Sequence, residues 1–466
     1  MAETIIRPAA PEAFEQFGSA VASHRDTLVV GARHDLGYPG RVYVFVWSGA
    51  AWVQQTKLQA SNLRGFDDFG AAVALDGDCL VVGAPYAGPN GDGHAYVFRR
   101  TGTSWVEEAM LAPSVVGPDG FGQSVAVHGD DVVVGGPQAA YFFRRSGGAW
   151  AETARVVPPG GAGGRFGNAV AIWDDHAVVG DEWEGGVAAH HGAAYVYRRS
   201  GSAWDLVLPV LTAPDAVTND HFGQSVAIRD DRLIVGAPGV TGAGVAEAGA
   251  AYVYVRAGTS WGLEQKLEGR DVDLPHGVFS VGASVSLWGE FALIGNPTDH
   301  HPHPGSGSAF LYQRSGSRWA RVAVFRASNP HFFDYFSHAV SVSDAGVFIG
   351  APDVPITDYK DGLVYAHPLP ANPIDRLRLD RDWSRYADIL FGLIRGGPGV
   401  IVKPGSGPVP VDPEPFVDWR DLAPDVRARV LGEALTRIGE KIDDRKLRER
   451  VVEVAKAVAK KAEQPR

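Results

Sequence analysis

One cysteine and two methionines in 466 residues leave little sulfur chemistry to consider. The lone thiol, Cys79, rules out an intrachain disulfide. Its neighbours Leu80, Val81 and Val82 put it in an apolar strand, as a buried and inert group. No apolar run approaches the roughly 18 residues that a membrane span needs. The N-terminus, Met-Ala-Glu-Thr-Ile-Ile-Arg-Pro, has neither the apolar core nor the cleavage site of a signal peptide. Both absences point to the cytoplasm, with leaderless secretion as the alternative. Positive charge is also short: the formal net charge of -11 argues against a nucleic-acid partner. Signatures of catalysis are missing too, with no Gly-x-Ser-x-Gly elbow, phosphate-binding glycine loop or His-Glu-x-x-His helix. The expectation is therefore a protein without enzymatic activity and without a cofactor.

What is abundant is glycine, 58 residues, without a collagen period. That composition predicts many turns, as in an all-β repeat protein. The stretch "FGQSVAIRDDRLIVGAP", residues 222–238, supplies the repeat. Aligned on the glycine of Gly-Ala-Pro, seven copies fall at Gly31, Gly83, Gly135, Gly180, Gly236, Gly295 and Gly350. Fourteen residues before each stands Phe17, Phe69, Phe121, Phe166, Phe222, Val281 or Phe336. A third strand like Ala-Tyr-Val-Phe follows, then a turn, a tryptophan and a last strand, giving four strands per unit. Units of this length with alternating apolar strands are the sign of propeller blades.

Only six units carry the tryptophan, because the seventh stops at "GLVYAHPLP". The chain start supplies a substitute. Thr4 precedes Phe17 by the same 13 residues that separate Thr56 from Phe69, and Ile6 matches Leu58. An N-terminal strand completing the last blade would close the ring and leave no unpaired seam. The expected fold is all-β, a seven-bladed β-propeller over 3–370 closed by its N-terminal strand, with a small, mainly α-helical C-terminal region.

The seven phrases resemble FG-GAP repeats, which build the propeller at the head of integrin alpha chains and occur in many bacterial proteins. The resemblance implies calcium loops of Asp-x-Asp-x-Asp-Gly character between the first and second strands. Here those turns read "HRD", "DGD", "HGDD", "WDDH", "RDD", "WGE" and "SDAG", too short and too poor in acids for six to eight oxygen ligands. No calcium site of that kind is expected. The phrase itself reads as scaffold.

Binding is expected where the blades differ. Loops between strands two and three, and connections into the next blade, share one face. They carry Tyr38, Tyr86, Trp183, Phe332, Phe333, Tyr335 and Tyr359 among acids, a composition suited to a protein or sugar partner. "DHHPHP" adds Asp299, His300, His301 and His303, and the loop of blade four adds His190 and His191. These are competent zinc or nickel ligands, but adjacent histidines separated by prolines match no ligand spacing, and no metal is expected. On the other face, Arg99, Arg100, Arg144, Arg145, Arg198 and Arg199 form either a basic rim or solvated strand ends.

Residues 371–420 read as a linker with a short strand-turn-strand segment, and 421–464 as amphipathic helices. Their apolar stripe needs cover, from the propeller, a second copy or another protein. The functional expectation is a non-catalytic module that recognises a protein through the variable loops, with the helices docking it to a larger assembly. One alternative is a glycan-binding lectin. The other is an enzyme using channel-mouth acids such as Asp67, Asp68, Asp220 and Asp334.

Overall fold

The computed structural model describes residues 3–369, apart from 13, 34–37, 116–119, 137, 162–163, 186–189, 242–247, 270–279 and 356–360. The C-terminal linker and helices therefore lie outside the described residues. Within them the chain forms 28 strands in seven four-stranded antiparallel sheets. Six sheets are built from consecutive strands. The seventh is built from Ala339–Ser343, Gly346–Ala351 and Leu363–His367, completed by Thr4–Ile6 from the chain start. Thr4 pairs with Ala366 and Ile6 with Val364, so the ring closes as the 13-residue spacing predicts. Ile6 is buried with Phe17, Phe348 and Val364, where the last blade meets the first.

The inner strands are Phe17–His24, Ala72–Asp76, Ser124–His128, Val170–Trp173, Ser225–Arg229, Val285–Trp288 and Ala339–Ser343. Each leads into a two-residue hairpin whose first residue usually has positive φ, as at Arg25, Gly77 and Asp174. A positive φ there matches the right-handed twist of the flanking strands.

The repeated glycines meet across the blades. A side chain on Gly31 would overlap the carbonyl oxygen of Gly70, and the same clash pairs Gly83 with Gly122, Gly180 with Gly223 and Gly350 with Gly18. Gly70 also has φ +94, a conformation that disfavours any side chain. The glycine of Gly-Ala-Pro lies inside the second strand, as in Cys79–Ala84, and the proline follows the strand's end, as Pro85 does there. Its role is thus close approach to the next blade as well as strand termination. Blade seven departs from the pattern: Ser337 replaces the glycine, and its hydroxyl donates to the Ser308 carbonyl at 2.6 Å and accepts the Asn296 amide at 2.8 Å.

The aromatic of each phrase fills the interface beside this glycine seam. Phe69 sits edge-on to Tyr96 and Phe98, and Phe121 to Tyr141 and Phe143. Each core cluster joins two neighbouring blades, as when Val42, Val44 and Leu58 pack with Phe69, Val82 and Tyr96. The phrase is the mortar between blades. That leaves the two ends of the ring for function.

Candidate functional site

Isolated parallel bridges, Gly192 to Phe222, Gly249 to Val281 and Gly307 to Phe336, tie the end of a blade's variable loop to the start of the next phrase. The two kinds of variable segment therefore share one face. Its framework is a set of buried acids. Asp67, Asp220 and Asp334 stand two residues before their phenylalanines and accept the amides of Arg64, Val217 and His331 at 2.6–2.7 Å. Glu15 holds this place in blade one, accepting from the Glu12 amide and from the Tyr43 hydroxyl. Burial pushes the Glu15, Asp220 and Asp334 carboxyls above the usual range. These side chains shape the lead-in turns.

The turns strain the residues around the acid. Phe66, Asp68, Asn219, His221, Phe333 and Tyr335 all have positive φ. For bulky aromatics such as Phe66 and Phe333 that region is costly. Both rings are nonetheless held out in solvent, Phe66 at 72% exposure.

The expected binding residues divide into separate groups. Trp183 stacks nearly parallel to His190, with ring centroids 5.3 Å apart, and Arg165 covers its ring at 4.5 Å. His303 stacks on Phe332 at 4.7 Å, and Phe333 lies 6.2 Å from Tyr335. Tyr38 and Tyr86 are each more than half exposed. His191 packs over Gly185, and Tyr359 lies outside the described residues.

Asp299 is fully buried at the place where other blades put Ala87, Val240 or Val354. Its Oδ1 accepts the His301 amide at 3.1 Å, and its Oδ2 lies 3.9 Å from Arg326 Nε. The aspartate thus anchors the His300–His303 segment by its backbone. Among the described residues, no three His, Cys, Asp or Glu side chains converge as a metal site would require.

The opposite face carries the hairpins. The six arginines of the expected basic rim are all matched by acids. Arg100 meets Asp78, Arg145 meets Glu108 and Arg199 meets Asp131, each at 2.6 Å. Arg198 lies 3.0 Å from Asp175, Arg144 3.7 Å from Asp131 and Arg99 4.0 Å from Glu108. Two of these pairs, Arg145 with Glu108 and Arg199 with Asp131, cross from one blade to the next, and the other four lie within a blade, so the rim is an ion-paired belt.

Inside that belt lies a feature the sequence reading passed over. The last residues of six inner strands meet around the axis. Asp76 lies 3.2 Å from His24 and 3.7 Å from His128, His128 stacks on Trp173 at 4.3 Å, and His24 meets Trp288 at 6.2 Å. The Arg229 guanidinium covers Trp173 at 4.2 Å and Trp288 at 3.6 Å. Ser343 occupies the seventh place and is fully buried. The His24 hydrogen bond, helped by the Gly129 amide, holds the Asp76 carboxyl down to about 2. The signal was available, because these residues stand seven places before each Gly-Ala-Pro glycine.

The sequence profile of the FG-GAP repeat matches residues 3–45, 52–98, 150–197 and 209–254. The chain carries FG-GAP repeats. Each match takes the outer strand of one blade with the first three strands of the next, and the first match begins on the closing strand. Blades outside these matches keep the same four-strand pattern. A crystal structure of a protein from Lactobacillus plantarum is similar over 66% of this chain and 84% of its own, at 15% identity and a TM-score of 0.45. No curated protein matches the chain.

Proposed function

We propose that this propeller is a non-catalytic binding module that recognises a protein partner through the variable loop face. The observation that carries the reading is the set of solvent-exposed aromatics on that face. Phe66, Phe332, Tyr86 and Tyr38 are 72%, 62%, 59% and 57% exposed. Phe66 keeps a large ring in solvent at a backbone conformation that glycine would adopt more easily. Aromatics on a rigid frame supply contact area at low entropic cost, and they are enriched at protein interfaces.

Two details weigh against the alternatives. A sugar platform needs an open aromatic face, whereas the Trp183 ring is engaged by Arg165 and His190. Of the acids that an enzymatic reading would use, Asp67, Asp220 and Asp334 are buried and each accepts the amide of a lead-in turn, while Asp68 is half-buried. The helices expected from the sequence over 421–464 are assigned the second half of the role, docking the propeller to a larger assembly.

The test is co-purification from the native cell with three chains: wild type, a Phe66→Ser, Tyr86→Ser, Phe332→Ser variant, and a chain ending at residue 370. The reading expects the triple variant to lose a partner that the truncated chain retains. A partner set unchanged by the triple substitution contradicts it.

A further inference from the structure

The collar on the hairpin face has a chemistry its position in the fold does not demand. The last residue of each inner strand need only finish a strand before a two-residue turn, as buried Ser343 does in blade seven. In the other six blades it is His24, Asp76, His128, Trp173, Arg229 or Trp288. These form a closed circuit of contacts around the axis, from His24 through Asp76, His128, Trp173, Arg229 and Trp288 back to His24.

Arg229 is the centre of interest. Its guanidinium carbon lies 3.6 Å from one indole centroid and 4.2 Å from the other. Stacking of this kind fixes the planar group and leaves its rim of N–H donors as the reactive part. Arg100, Arg145, Arg199, Arg232 and Arg314 on the same face each hold a carboxylate within 3.0 Å. Arg229 does not: the nearest described carboxylate, Asp230, is 4.0 Å from its Nε. Its side chain is only 23% exposed. A fixed, partly desolvated cation without a hydrogen-bonded counter-ion gains from any anion that reaches its edge.

We propose that the collar is a carboxylate-binding site, with the Arg229 guanidinium as the fork that receives the ligand. A planar monoanion matches the planar fork through two parallel N–H···O bonds. Phosphate is disfavoured by the charges around it. Asp76 sits in the collar, Asp230 stands on the turn after Arg229 and Asp344 on the turn of blade seven, so a second ligand charge would meet acids as well as Arg229. His24 and His128 are already engaged by Asp76 and line the wall. The carboxylate has two sources, a free small acid or the acidic side chain of a peptide. The site lies on the face opposite the proposed partner loops and stands or falls independently of that reading.

The experiment titrates the full chain by calorimetry with sodium acetate, sodium succinate, a blocked Gly-Gly-Glu-Gly-Gly peptide and inorganic phosphate. Arg229→Lys and Arg229→Gln are run in parallel, with thermal melts to verify folding. Saturable binding of a carboxylate in the millimolar range or tighter is expected, about tenfold weaker in Arg229→Lys, which keeps the charge and loses the fork. Tighter binding of succinate or acetate identifies a small-molecule source, and tighter binding of the peptide identifies an acidic segment. Absence of saturable carboxylate binding to the wild type overturns the proposal. So does phosphate binding more tightly than every carboxylate, or a folded Arg229→Lys variant that binds as well as the wild type. The wild-type arm decides the matter even if a variant does not fold.

Discussion

The buried carboxylate of Asp181 stands where a side chain on Gly164 would have to go. Blade four lacks the acid that Asp67, Asp220 and Asp334 supply in their blades. Instead, the alanine of Gly-Ala-Pro has become Asp181, whose Oδ1 accepts the Arg165 amide at 2.7 Å. Blade six repeats this second solution with Asn296, which accepts the Ser280 amide at 2.8 Å. One buried acceptor shapes each of these lead-in turns, supplied from either of two places in the repeat.

Exchanging the two solutions is therefore a test. Asp181→Ala should cost about 1–3 kcal/mol, because the Arg165 amide loses its acceptor. Gly164→Asp alone should cost about as much or more through overpacking and two adjacent buried acids. The double variant should be more stable than the sum of the singles predicts, since it recreates the arrangement of blades two, five and seven. Thermal unfolding of the four proteins measures the coupling.

Ring closure rests on a three-residue strand. Ile6→Ala should lower stability by about 2–4 kcal/mol, as expected for a buried isoleucine at a blade interface. Ile5, exposed on the same strand, should change it by less than about 0.5 kcal/mol when replaced by alanine. Denaturant midpoints for the two variants make the comparison.

Burial pushes the His367 imidazole down to about 4, on a strand beside the closing one and stacked against Phe325 at 4.5 Å. The folded protein thus resists a proton that the unfolded chain accepts near its ordinary pKa of about 6.5. Stability from this group is complete above about pH 6.5 and declines as pH falls toward about 4. His367→Gln should reduce the loss of melting temperature between pH 7 and pH 5. An equal loss in both proteins would show that other groups set the acid sensitivity.

Phe66 offers a trade of stability against binding. Phe66→Gly relieves the left-handed conformation and should raise stability by about 0.5–1 kcal/mol, since the ring is largely exposed. The same change should weaken partner capture. A melting temperature that falls would mean the ring is part of the packing.

The architecture was legible because seven phrases at fixed spacing carry it, and because the missing outer strand of blade seven could be matched to Thr4 and Ile6. What escaped was the use of positions within the phrase. The glycine of Gly-Ala-Pro reads locally as a strand end, yet it packs on a glycine about forty residues later, a contact made only when blades assemble. The rim arginines read as free charge because their acids sit on other strands or turns, and for Arg145 and Arg199 on the preceding blade. Stacking of Trp183 on His190 depends on the path of the loop between them, which residue type alone does not specify. The collar was present in the alignment as a column of unlike residues. It became a site only when the ring brought that column to one axis.

The central claim, recognition of a protein through the variable loop face, is tested most directly by site-specific photo-crosslinking in the native cell. A photoreactive amino acid is placed at Tyr86 or Phe332 on the loop face, and at Arg144 or Arg198 on the hairpin face. The account predicts a discrete protein adduct from Tyr86 and Phe332. Adducts from Arg144 and Arg198 alone, or from none of the four positions, would contradict it.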